Sequence, residues 1–72
     1  MDIEEINVDY IELGFYDQGQ TRGFSVNFHR GLGWSLFRDL EKVVANVTWE
    51  EAWAAMTTRE RVRCAVFGNS LR

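Results

Sequence analysis

The chain has 72 residues, 46% of them hydrophobic, with one cysteine, no proline and a formal net charge of −3. So short a chain forms one domain with a thin core, since it buries only about 60% of the surface its unfolded form exposes. The lone Cys64 excludes an intrachain disulfide and a multi-cysteine metal site, and a single His leaves no zinc staple, so neither metal nor cofactor is expected.

Three Trp, five Phe and two Tyr are a heavy aromatic load for such an interior. Some of these rings are expected at the surface or in a subunit contact. The opening "MDIEEINVDY" is acidic and lacks the apolar stretch of a signal peptide. No apolar run approaches the ~18 residues of a membrane span. A reducing, cytoplasmic setting is therefore the expectation, and the "NVT" at Asn46 is read as a chance sequon. Charge is unevenly spread: six acids and no Lys or Arg precede Arg22, whereas eight basic residues and five acids follow from there. Such asymmetry steers partners.

The expected fold class is α+β, with an N-terminal β-hairpin over about 8–29 and three helices behind it. "IEEINV" is a candidate for a short third strand. Ile6, Val8 and Tyr10 have the opposite parity to Ile11 and Leu13, so the first arm either bulges near Tyr10 or begins there. With the turn at Gln18-Gly19, Phe24 faces Leu13 and Val26 faces Ile11. Ile11, Leu13, Phe15, Phe24, Val26 and Phe28 then share one apolar face. The same pairing sets Gly14 opposite Gly23 on the other face. That leaves a bare notch where a ring or a partner approaches the backbone, or where the hairpin bends.

Past the hairpin, "HRGLGWS" is read as a strand-to-helix loop, with Arg30, Gly31 and Gly33 as a weaker candidate for an anion nest. A helix over about 35–46 follows from the stripe Leu36, Leu40, Val43 and Val47, with Ser35 as N-cap and Asn46 as a C-terminal left-handed residue. "TWEE" and "TTRE" are two capping-box patterns, opening helices at about 49–56 and 58–67. In the last of these Val62, Ala65 and Val66 form the expected packing stripe, and Gly68 the stop.

No reacting constellation assembles. His29 and Cys64 lack a third orienting group, and the acids show no paired-carboxylate spacing, so no enzyme is expected. The leading reading is a non-catalytic protein-binding module, an inhibitor that occludes a site on a larger partner. Its surface would combine Tyr10, Glu12, Gly14, Tyr16, Asp17, Gly23 and Trp34, because Trp and Tyr dominate binding hot spots. Small acidic, cysteine-poor chains of this kind are common among phage-encoded proteins that block host machinery, anti-CRISPR proteins included. That is an analogy of size and composition alone. A sharper version has Asp9, Glu12 and Asp17 imitating nucleic-acid phosphates. The rival is a small nucleic-acid-binding regulator using Arg59, Arg61 and Arg63, which the acidic total opposes. A homodimer whose contact consumes the aromatics is a third reading.

Overall fold

The computed structural model describes residues 8–17, 19 and 22–70. It is α+β: a four-stranded antiparallel sheet in the order β1-β2-β3-β4, followed by two helices. The strands are β1 (Tyr10–Tyr16), β2 (Gly23–His29), β3 (Gly33–Arg38) and β4 (Glu41–Val47). The helices are α1 (Trp49–Ala55) and α2 (Thr58–Ser70). The proposed third strand at "IEEINV" lies almost entirely outside the described residues.

The hairpin's two faces are as the alternation requires, but its register differs from the expected one. Leu13 pairs with Val26 and Ile11 with Phe28, so every partner lies two residues further along. A shift of two keeps each side chain on its own face, whereas a shift of one would invert them all. Pairing runs without interruption from Tyr10 to Tyr16, so β1 begins at Tyr10 rather than bulging there. The Asp17 N–H donates to the Arg22 carbonyl at 2.9 Å and closes the arms.

The expected helix over 35–46 is instead the second hairpin, β3–β4. Leu36, Leu40, Val43 and Val47 fit a helical stripe by spacing, yet "WSLFR" also alternates and the following valines are β-branched. Between them Asp39 (φ 51°) and Leu40 (φ 68°) both adopt left-handed backbone and make a two-residue turn. Positive φ at both positions defines the type I′ turn, whose twist matches that of the flanking strands. Ser35 is a mid-strand residue, not a helix cap. Asn46 is left-handed as expected (φ 57°), but within β4. There the register slips against β3, and the Asn46 N–H donates to Ser35 Oγ at 3.2 Å. These irregularities twist the β4 edge and discourage another strand from pairing with it.

Leu40 offers a direct test of turn against helix. Its side chain is 64% exposed, so little packing is at stake. Leu40→Gly is expected to stabilise the protein by about 1 kcal/mol, by relieving a left-handed non-glycine residue. In a helix the same change destabilises by about 1 kcal/mol. Urea unfolding gives the sign.

Both helices pack on one face of the sheet. Phe24, Val26, Phe28, Trp34 and Leu36 form the core there with Ala52, Met56 and Cys64. Both capping boxes are present. Thr48 Oγ1 accepts the Glu51 N–H while Glu51 accepts the Thr48 N–H, and Thr57 and Glu60 repeat the exchange. α1 carries no basic residue in its last turn. Its final carbonyls are satisfied from elsewhere: Arg61 donates to Trp53 O and Ala54 O, and Arg38 to Ala55 O. α2 departs from its expected stripe. Val62 and Val66 are 60% and 63% exposed, while Glu60 and Cys64 face inward. The inward Glu60 receives a two-pronged bond from Arg38, at 2.8 Å from Nε and 2.6 Å from Nη2.

Candidate functional site

With the helices on one side, the opposite face of the sheet carries neither of them. Tyr10, Glu12, Gly14 and Tyr16 lie there on β1, beside Ser25, Asn27 and His29 on β2 and Ser35 and Phe37 on β3. Period-two alternation places them all. Tyr10, Glu12, Gly14 and His29 are exposed, whereas Ser25 and Ser35 are buried and Asn27 and Phe37 are half-buried.

The aromatic groups on this face are held in place. The Tyr10 hydroxyl donates to Glu12 Oε2 at 3.0 Å, and the Tyr10 ring lies 4.6 Å from the His29 ring. Donation to Glu12 raises the Tyr10 phenol above its ordinary pKa, so it stays protonated through the neutral range. The Tyr16 hydroxyl donates to Ser25 Oγ at 3.0 Å, spanning from β1 to β2. Side chains fixed in this way lose less rotamer freedom on binding.

The glycine notch is resolved differently from expectation. Gly14 faces Ser25 and Gly23 faces Tyr16, so the two glycines are not cross-strand partners. The ring of Tyr16 covers Gly14, and a Cβ on Gly14 would rest 3.6 Å from it. Gly23 serves the backbone itself: its φ is 141°, and a Cβ there would run into the Phe15 carbonyl. Its N–H donates to Asp39 Oδ1 at 3.0 Å, tying the first hairpin to the turn of the second. The gap is thus filled by this chain's own tyrosine.

Trp34 does not belong to this surface. It is 0% exposed and packs among Phe28, Trp49 and Val47 on the helix side, because residue 34 is in a strand rather than preceding a helix. Tyr10, at 47% exposure, and Glu12 are open to solvent, and Tyr16 is half-buried. Asp17 lies just past β1, where its carboxylate faces the Arg22 N–H at 3.4 Å. Asp9 carries an exposed ion pair with Arg30 at 3.4 Å, and Arg30, Gly31 and Leu32 form the turn into β3 with no helix behind it. The alternation of "FSVNFH" puts Asn27 and His29 on this face, although the expected binding surface leaves them out, and Phe37 falls within the expected helix.

The other candidates separate. Cys64 is buried on the helix side and His29 is exposed on the opposite face, so they form no pair. Burial, with Glu60 nearby, pushes the Cys64 thiol up to about 11, leaving it protonated and unreactive near neutrality. Among Arg59, Arg61 and Arg63, Arg61 is engaged by the end of α1 and lies 5.9 Å from the Trp53 ring. The Arg63 guanidinium sits 5.6 Å over Phe15, and Arg59 is exposed. Among the described residues no three His, Cys, Asp or Glu side chains gather as a metal site would require. Among the described residues no helix is long and apolar enough to cross a membrane. No family model matches the chain, and comparison with the curated proteins and with the solved structures gives no match.

Proposed function

We propose that the chain is a small non-catalytic protein-binding module that acts by covering a site on a larger partner with the open face of its sheet. The observation that supports this most is the one-sided placement of both helices. It leaves a face bearing two tyrosines fixed by hydrogen bonds to neighbours on the same face. Tyrosine held rigidly is a frequent source of binding energy, and Glu12 beside Tyr10 favours a partner with a basic rim. Inhibition of host machinery, as in phage-encoded blockers and anti-CRISPR proteins, remains an analogy of size and composition.

Phosphate mimicry by Asp9, Glu12 and Asp17 has weaker support, since Asp9 already faces Arg30. Nucleic-acid binding through Arg59, Arg61 and Arg63 also has less support, with Arg61 committed to α1.

The test is capture from an extract of the native host, with Tyr10→Ala/Glu12→Lys compared against Val62→Ser on the helix side. A protein retained by wild type and by Val62→Ser, but lost with the double variant, is expected. Equal retention by all three, or none above bare resin, would refute this reading.

A further inference from the structure

A second surface feature lies at the other end of the strands from Tyr10. Where the two hairpin turns approach the start of α2, a cleft of about 530 Å³ opens. Phe15 and Phe24, stacked at 4.9 Å, contribute its apolar wall. Arg22, Arg38, Arg59 and Arg63 line it, half of the eight cationic side chains of an acidic protein.

Each acid in the cleft has a hydrogen-bond donor; Glu60 is ion-paired as well, whereas Asp17 and Asp39 keep their charge. Glu60 receives both prongs of Arg38 and the Thr57 N–H. Asp39 accepts the Gly23 N–H, and Asp17 faces the Arg22 N–H. Among the described residues no carboxylate lies within 4.0 Å of the Arg22, Arg59 or Arg63 guanidinium. Three arginines from two distant parts of the chain therefore face one cavity without a countercharge in contact. Guanidinium forks match the oxygens of a phosphate, and the cavity falls in the ~300–1,000 Å³ range of small-molecule sites.

We propose that this cleft binds a compact organic phosphate of about nucleotide size, its phosphate held by Arg22, Arg59 and Arg63 and its body against Phe15. The cleft borders the open sheet face at Tyr16, which lines both, while Arg22, Arg59 and Arg63 belong to the cleft. Adenosine monophosphate is the first probe, titrated into the isotope-labelled chain at low salt, with adenosine, inorganic phosphate and citrate alongside. Saturable amide shifts at Arg22, Gly23, Arg59 and Arg63 are expected with the nucleotide, weakening as salt is raised. Arg22→Gln/Arg59→Gln replaces two exposed side chains and leaves the fold intact, and it is expected to weaken binding at least about tenfold. Absence of saturation at millimolar nucleotide, or equal binding by the double variant, overturns the site. Equal binding of adenosine shows that phosphate is not read, and equal binding of citrate shows a carboxylate site; either overturns the phosphate assignment.

Discussion

Trp34→Ala is expected to cost about 3–5 kcal/mol, the range for emptying a buried large aromatic position. The side chain is fully enclosed, at 5.1 Å ring distance from Phe28 and 4.6 Å from Trp49 in an edge-on pair. It links β2, β3 and α1, so its loss leaves a void that a thin core fills poorly. For a chain of 72 residues the loss is a large part of the roughly 0.05–0.15 kcal/mol per residue that holds domains folded. Trp34→Phe is expected to cost less, about 1–2 kcal/mol. Phenylalanine keeps much of the volume and removes the indole Nε1, which has no acceptor among the described residues. Urea unfolding followed by far-UV circular dichroism measures both. A change within about 0.5 kcal/mol for Trp34→Ala would mark a surface residue and contradict its placement in the core.

Glu60→Gln is expected to destabilise by about 2–3 kcal/mol, less than the ~3–5 for a fully buried pair, because Arg38 retains exposure. The Glu60 side chain is 9% exposed and that of Arg38 34%. The Arg38 bonds hold the Glu60 carboxyl below its ordinary 4.5, against the opposing effect of burial. A lowered folded pKa fixes the sign. The contribution is full above about pH 4.5, the unfolded value, and is lost as pH falls through the folded one. Stability of wild type is therefore expected to drop more steeply on acidification than that of Glu60→Gln. Arg38→Met/Glu60→Leu is expected to recover only part of the loss: apolar groups can replace a buried ion pair at little cost, but the Thr57 N–H and the Ala55 carbonyl lose their partners. Parallel acid profiles for wild type and Glu60→Gln would show that the pair carries no such coupling.

The parts of this fold legible in the sequence are those fixed by short-range rules. Both capping boxes depend on residues three apart, and both helices start where Thr48 and Thr57 set them. The faces of the first hairpin follow from alternation, which holds whatever the turn. Register is another matter. Alternation fixes pairing only to an even number of residues, so Leu13 opposite Phe24 and Leu13 opposite Val26 sort the side chains identically. The outer face kept Tyr10, Glu12 and Tyr16 for that reason, while the glycine pair dissolved.

The second hairpin was hidden because its sequence satisfies two periods at once. Leu36, Leu40, Val43 and Val47 fit a helix, and the turn that breaks them uses Asp-Leu where Asn-Gly would have announced it. The alternation of Trp34, Leu36 and Arg38 against Ser35 and Phe37 was the available signal. Reading it would have moved Trp34 from the surface to the core. In α2 a polar contact overrides the apolar stripe. Arg38 reaches from β3 to Glu60 and turns that side of the helix inward, leaving Val62 and Val66 outside. A pair joining residues 22 positions apart leaves no local trace.

The division of the sheet into a covered face and an open one is tested most directly by nuclear Overhauser contacts in the isotope-labelled protein. The Trp34 indole should show contacts to Phe28, Val47 and Trp49, and the Tyr16 ring to Gly14 and Ser25, with cross-strand backbone contacts between Leu36 and Val44. Sequential helical contacts through residues 35–46, with a solvent-exchanging Trp34 indole, would contradict the fold and remove the open face with it.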